Sequence, residues 1–147
     1  MGLLERVQTD LKAAMRERDE LRRETLRMVL AEVKNKRIEL GRDLEEPEVE
    51  ATLQRCVKSR QDSVEQYANA GREELAAKER AEIEVIRAYL PEQLSADDVR
   101  AAVAEAIREA GATSKKDMGA VMKLLMAKHK GRIDGRTAQQ AAGELLD

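Results

Sequence analysis

The residues best suited to chemistry in this sequence are basic and lie close together near its C-terminal end. Between residues 115 and 136, seven Lys and Arg residues face two Asp residues, a local charge of +5 in a chain whose net charge is -2. A basic segment in an otherwise acidic chain is typical of a surface that meets a polyanion. The candidate nucleic-acid-binding residues are Lys115, Lys116, Lys123, Lys128, Lys130, Arg132 and Arg136.

Two predicted settings hold these cations. Lys115 and Lys116 are predicted in the first turn of a helix, where free backbone N–H groups also favour an anion. Lys128, Lys130 and Arg132 are predicted near a helix C-terminus and the turn after it. A purely structural role for the run KHKGRIDGR is the alternative, because basic residues and glycines are ordinary at helix C-termini.

Four further residues in this segment are predicted to serve its geometry. Glycine allows sharp turns or a close approach of the backbone to a ligand, and Asp at the start of a helix is a favoured N-cap. We therefore assign a structural role to Gly119, Gly131, Asp134 and Gly135. For Asp134, the alternative is a role as an acid or a metal ligand.

Other side chains that could do chemistry are too few for an enzyme or a metal site. One cysteine, Cys56, excludes an internal disulfide, and together with the one histidine, His129, it cannot form an ordinary structural zinc site. No nucleophile–base set is recognisable, so we predict no catalytic residue, no metal and no cofactor. The acidic group Glu79, Glu82 and Glu84 is interpreted as a solvated helix face.

The composition predicts an all-α fold. The chain has no Phe, no Trp and two Tyr, so its core must be built from Leu, Val, Ile, Met and Ala, which favour helices. The same shortage of aromatic residues argues against binding single-stranded RNA by base stacking. Structured RNA held through phosphates and sugars is the better match.

Long helices are predicted over residues 1–94. Apolar residues recur at spacings of three and four, which is the helical period. Asp19 is a predicted N-cap between a first and a second helix, although one unbroken helix through Arg18 is the alternative. Pro47 suits the first turn of a third helix, and Gly71 separates the third from the fourth. Such helices pack most easily as an antiparallel bundle.

A small three-helix domain is predicted over residues 95–147. Ser95 caps its first helix, and Ser114 with Asp117 forms a second capping pair. The last helix is predicted to start at Asp134 and to bury an apolar face that ends with Leu145 and Leu146.

A second basic region lies between Lys12 and Arg37, with nine basic residues against five acidic ones. It either extends an RNA-binding surface or is an exposed helical face with ion pairs, such as Asp10 or Glu20 with a neighbouring Arg.

The chain resembles the GatB/YqeY family over essentially its whole length. The similarity is strongest in YLPEQLS at 89–95, GATSKKDMGAVMKLLM at 111–126 and KGRIDGR at 130–136, and RMVLAEVKNKRIEL at 27–40 supports it. In that family the unit occurs alone and as the C-terminal tail of the B subunit of the glutamine-dependent tRNA amidotransferase, a carbon–nitrogen ligase. This chain is too short to include the catalytic cradle of that subunit.

The resemblance implies a non-catalytic protein that binds tRNA by its shape. Its partners would be tRNA and either amidotransferase subunits or another translation protein. The alternative from a different class is a helical adaptor that binds another protein through a Met-lined or N-terminal helix groove. The N-terminus lacks a secretory pattern and no apolar run approaches about 20 residues, so the expected location is the cytoplasm, without a membrane.

Overall fold

The computed structural model describes residues 2–146, and these residues form an all-α structure without strands, as the composition predicted. A short 3₁₀ turn over Lys115–Asp117 precedes the sixth helix. The α-helices are α1 (Leu3–Glu17), α2 (Glu20–Leu40), α3 (Glu46–Asn69), α4 (Glu73–Arg87), α5 (Ala96–Ala110), α6 (Met118–Lys128) and α7 (Gly135–Leu145).

The chain divides into two compact units, the first ending at Leu90 and the second beginning at Pro91. Each unit has its own cluster of buried apolar side chains. Sequence reasoning placed a boundary after residue 94. In the structure, residues 92–94 bond to the turn between α6 and α7 and so form part of the second unit.

The first two helices are separate because the backbone reverses at Arg18. This residue has φ 57°, and it is the one non-glycine residue with positive φ in the described range. The carboxylate of Asp19 accepts a hydrogen bond from the N–H of Arg22 at 3.2 Å and so caps α2. The alternative of one unbroken helix is therefore wrong.

An ion pair lies inside the core of the first unit. Arg60 Nε donates to Glu82 Oε2 at 3.0 Å, and a second nitrogen of Arg60 donates to the carbonyl of Cys56 at 3.2 Å. Both charged side chains are more than nine-tenths buried. The interpretation of Glu79, Glu82 and Glu84 as a solvated face is thus wrong for Glu82, because Arg60 neutralises its charge and allows burial.

The last helix of the first unit is fixed to α1 through Tyr89. The Tyr89 hydroxyl donates to the carboxylate of Asp10, and the guanidinium of Arg6 lies 5.2 Å from the centre of the Tyr89 ring. Burial, followed by the bond to Asp10, raises the pKa of Tyr89. Asp10 is therefore engaged by a tyrosine rather than by the neighbouring Arg expected from the sequence.

The second unit packs α5, α6 and α7 around small and branched side chains. Val103, Val121 and Ala142 are almost completely buried in it. Leu145, which was expected in this core, is 45% exposed, because α7 ends there and the chain continues in extended form to bury Leu146 instead. Within residues 2–146, no helix is both long enough and apolar enough to cross a membrane.

Candidate nucleic-acid interface

The turn between α6 and α7 takes its shape from one glycine. Gly131 has φ 78°, in the left-handed region that other residues adopt only with strain. The N–H of Arg132 donates to the carbonyl of His129 at 2.9 Å, and Ile133 is buried beneath the turn. Lys130 and Arg132, on either side of the glycine, are exposed.

The segment before α5 holds this turn in place. Gln93 Nε2 donates to the carbonyl of Gly131 at 2.7 Å, and the N–H of Leu94 donates to the carbonyl of Arg132 at 2.9 Å. In return, Arg132 Nε donates to the carbonyl of Glu92 at 3.1 Å. These three bonds fix the backbone of the turn and hold the guanidinium group of Arg132 at its Nε atom. Sequence reasoning did not identify Gln93.

The sequence suggested that Lys115 and Lys116 lie in the first turn of an α-helix. In the structure they lie in the 3₁₀ turn that precedes α6. The carboxylate of Asp117 accepts from the N–H groups of Thr113 at 3.0 Å and Ser114 at 3.4 Å, which draws the chain into the tighter turn. Both lysines are exposed. Because Asp117 places a negative charge here, binding of an anion would depend on the lysine side chains.

Three lysines and three small residues form the outer face of α6 and its two ends. Lys116, Lys123 and Lys130 recur every seven residues; Lys116 lies in the 3₁₀ turn before α6, Lys123 lies on α6, and Lys130 lies in the turn after it, and all three are exposed. Apart from Lys128, the exposed residues between them are Gly or Ala. We call this surface the α6 lysine face; it consists of Lys116, Gly119, Ala120, Lys123, Ala127 and Lys130.

Lys128 belongs to the packing of α6 on α5 rather than to this face. Its Nζ donates to the carboxylate of Glu109 and lies 3.6 Å from Glu105 Oε1. The bond to Glu109 is the main reason why the pKa of Lys128 is raised. A phosphate would have to compete with two carboxylates for this cation.

The start of α7 carries the last of the predicted residues. Asp134 Oδ2 accepts from the backbone N–H of Thr137 at 3.2 Å and from its hydroxyl at 3.1 Å, which confirms Asp134 as an N-cap. Gly135 is the first residue of α7, and Arg136 is exposed in its first turn.

The glycines of the segment differ in what the backbone requires of them. Gly131 needs its positive φ, whereas Gly119 and Gly135 are not among the positive-φ glycines. A Cβ atom added at Gly119 or Gly135 would meet nothing within 4 Å. Neither local conformation nor crowding explains glycine at these two positions.

The residues considered for catalysis or metal binding lie apart from one another. No group of three His, Cys, Asp or Glu side chains in the described part of the chain could hold a metal ion. Cys56 is buried in the first unit, and this burial raises the pKa of its thiol. His129 is half-buried at the C-terminus of α6.

The second basic region is largely an ion-paired helical surface. Five of its nine basic side chains lie within 4 Å of a carboxylate, which supports the alternative given for it above. These pairs are Arg22–Glu17, Arg23–Glu24, Arg27–Glu24, Lys36–Glu39 and Arg37–Asp43.

Comparisons with known proteins give one matching family model and several similar proteins. A family model described as "Yqey-like protein" matches residues 4–146. "Altered inheritance of mitochondria protein 41, mitochondrial" from Pyrenophora tritici-repentis is 30% identical over 150 residues, covering 98% of this chain and 81% of that protein. The protein of the same name from Lachancea thermotolerans is 39% identical over 82 residues, covering 55% of this chain and 44% of that protein. The match to the Lachancea protein thus spans less than half of its length.

Proposed function

This chain belongs to the YqeY-like family, and from that premise we propose that it is a non-catalytic tRNA-binding protein that contacts the RNA through the α6 lysine face, Lys115 and Arg132. The single observation that carries the proposal is the set of three exposed lysines spaced by seven residues, between which the other exposed residues, apart from Lys128, are Gly or Ala. Exposed lysines beside small side chains present positive charge and leave room for a sugar–phosphate backbone to approach.

Charge pairing separates these residues from two other cations of the second unit. Arg100 bonds to Glu144, and Lys128 bonds to Glu109. Lys116, Lys123 and Lys130 have no carboxylate partner among the described residues. Their charge therefore remains available to phosphates, at no loss of an internal ion pair.

The choice of tRNA among polyanions is supported by the resemblance to the tail of the amidotransferase B subunit. Three lysines along one helix give no reading of base edges, so recognition would be by the shape and charge of a folded RNA. Arg132, whose guanidinium Nε donates to the carbonyl of Glu92, would provide one positioned contact beside Lys130 through its remaining N–H groups.

A binding assay with a charge-matched control tests the proposal. The face variant is Lys116→Ala/Lys123→Ala/Lys130→Ala. The control, Lys12→Ala/Lys58→Ala/Lys78→Ala, removes the same charge from exposed positions of the first unit. We expect the face variant to lose most of its affinity for total tRNA, measured by fluorescence anisotropy, and the control to retain it. Equal binding by the two variants would refute the proposal.

A protein adaptor is the second candidate, favoured by a groove of about 530 Å³ between α2 and α3. Met28, Ser59 and Arg60 are among the residues that line it. Met118 and Met122 instead pack against the core of the second unit, so they do not form an exposed methionine groove. For an adaptor of this kind, the face variant would bind its protein partner as well as the parent does.

The location in the cell is also part of the proposal. The sequence favours the cytoplasm, whereas the relatives carry mitochondrial names. Cell fractionation with an antibody against the chain distinguishes the two compartments.

A further inference from the structure

Helix α2 carries a second regular row of residues on its solvent side. Its members recur at alternating spacings of three and four, and all of them are exposed. Four of the six are apolar. We call this row the α2 outer seam; it consists of Leu21, Glu24, Met28, Ala31, Asn35 and Ile38.

The outer seam lies opposite the side by which α2 joins its own core. Leu26, Val29 and Val33 are buried and mark the inner side of the helix. At about 100° of rotation per residue, Met28 and Asn35 point away from that side. Met28, Ala31 and Asn35 also line the groove between α2 and α3, whereas Leu21 and Ile38 do not, and all five keep an exposed side to solvent.

Two large apolar side chains of the seam are strongly exposed. Met28 is 52% exposed and Ile38 is 69% exposed. The sulfur of Met28 accepts a hydrogen bond from Arg60 at 3.5 Å, yet half of the side chain still faces solvent. An exposed apolar row on a long helix favours contact with another helix.

The spacing of the seam is that of a coiled-coil heptad. Leu21, Met28 and Asn35 occupy a positions, and Ala31 and Ile38 occupy d positions. A single Asn at an a position is a known determinant of two-stranded pairing and register, since it can bond to the same residue of an identical helix. This feature points to a second copy as the occupant.

Charges on the two flanks of the seam specify the orientation of that copy. Arg27 and Lys34 lie on one flank, at g positions, and Glu32 and Glu39 lie on the other, at e positions. In a parallel, in-register pair, each g residue meets the e residue five positions later on the other helix. An antiparallel pair would instead place basic flank against basic flank.

We propose that the α2 outer seam is a self-association surface through which two copies of this chain pair by a parallel, in-register α2 coiled coil. Arg27 then faces Glu32 of the second copy, and Lys34 faces its Glu39, each pair occurring twice. Asn35 meets Asn35, and Ile38 meets Ile38. The site lies in the first unit, so it is independent of the proposed RNA interface.

One layer of the seam weakens the pair and sets its expected strength. Glu24 occupies a d position, where its carboxylate lies 3.1 Å from Arg23 and 3.7 Å from Arg27 of its own helix. Pairing is therefore centred between Met28 and Ile38, which is short for a coiled coil. We expect a reversible dimer that forms at high protein concentration.

Charge reversal on the full chain tests the pairing. Lys34→Glu makes both members of the outer charge pair acidic, and Glu39→Lys makes both members basic. Either variant replaces two attractive intermolecular pairs with repulsive ones, which should weaken self-association about tenfold in sedimentation velocity, with unchanged helicity by circular dichroism. An equimolar mixture of the two variants should recover dimer as heterodimer.

The heterodimer of the two variants has two attractive charge pairs between positions 34 and 39. In the heterodimer, the acidic g residue of the Lys34→Glu chain faces the basic e residue of the Glu39→Lys chain, and the unchanged Lys34 of the second chain faces the unchanged Glu39 of the first. Both outer pairs are therefore attractive again. The mixture should sediment like the parent.

Cross-linking tests the orientation. In a parallel, in-register pair, the two Ala31 positions face each other, so Ala31→Cys should form an intermolecular disulfide under mild oxidation. The parent, in which the one thiol is the buried Cys56, is the control and should remain uncross-linked. A parent that stays monomeric at high concentration, variants that dimerise like the parent, a mixture without recovery, or an Ala31→Cys variant that does not cross-link would each overturn the proposal.

Discussion

At the scale of single residues, neighbouring lysines in one basic segment have different roles. Lys128 and Lys130 are both exposed and two positions apart. Lys128 is held between Glu105 and Glu109, whereas Lys130 follows α6 and has no carboxylate partner within residues 2–146. Charge count alone cannot separate them, because the difference depends on which residues of α5 lie opposite.

The two lysines can be compared directly in tRNA binding. We expect Lys130→Ala to weaken tRNA binding and to reduce the slope of log Kobs against log salt by about one, as loss of one phosphate contact should. Lys128→Ala should leave the slope unchanged. If Lys128→Ala gave the larger loss, the assignment of these residues would be reversed.

Gly119 offers a test in which stability and binding change in opposite directions. A Cβ atom at this position meets nothing, and Ala is better than Gly in a helix, so Gly119→Ala should stabilise the protein by up to about 1 kcal/mol. The added methyl group on the α6 lysine face should weaken tRNA binding. Thermal unfolding and anisotropy measure the two effects.

Gly143→Ala is the matched control for this substitution. Gly143 lies in α7, where a Cβ atom would make an ordinary contact at 4.0 Å with the end of Met118. We expect a similar gain in stability without a change in tRNA affinity. Equal loss of affinity in both variants would argue against a role for the open space at Gly119.

We expect the buried pair Arg60–Glu82 to affect stability because each partner neutralises the buried charge of the other. Glu82→Leu or Arg60→Leu leaves the other charge buried, so each should lower the free energy of unfolding by about 3–5 kcal/mol. The double variant should recover much of that loss. Urea denaturation measures all four proteins, and additive losses in the double variant would contradict this account.

At the scale of elements, caps and turns decide where helices begin and end. Glu48 in the first turn of α3 accepts two hydrogen bonds from Arg42, at 2.7 and 3.0 Å, and one from the N–H of Glu45 at 2.9 Å. The bond from Arg42, followed by that from Glu45, lowers the pKa of Glu48 to about 2. The loop between α2 and α3 is thereby joined to the start of α3.

This carboxylate predicts a specific acid dependence. Because the pKa is lower in the folded chain, the stabilisation is present above the pKa of the unfolded carboxyl group and is lost as pH falls towards about 2. Glu48→Gln should therefore reduce the difference in stability between pH 6 and pH 2.5, measured by urea denaturation. A variant with the same acid dependence as the parent would contradict the assignment.

Much of this architecture could be predicted from the sequence, since caps act locally. Asp19, Ser95 and Asp134 lie at the N-caps that their residue types suggested. Leu145 was placed wrongly, because helical periodicity does not reveal where α7 ends. Gln93 was missed because its bond to Gly131 joins positions 38 residues apart, and no local pattern encodes such a contact.

At the scale of the whole molecule, the two units differ in how their basic side chains are paired with carboxylates. Five of the nine basic residues of the second basic region pair with carboxylates close to them in the sequence. In the second unit, Arg100 and Lys128 pair with acidic residues, while the α6 lysine face remains open. The sequence predicts a cluster of basic residues here. It does not predict which of them form ion pairs, and the α6 lysine face is defined by those that do not.

The central claim is that the α6 lysine face binds tRNA through phosphates, and the salt dependence of binding tests it most directly. With about five phosphates engaged, the parent should show a slope of log Kobs against log salt of roughly -4. The triple lysine face variant should reduce that slope by about 2 to 3, and the charge-matched control should not change it. A parent with no salt dependence, or a control that changes as much as the face variant, would contradict the account.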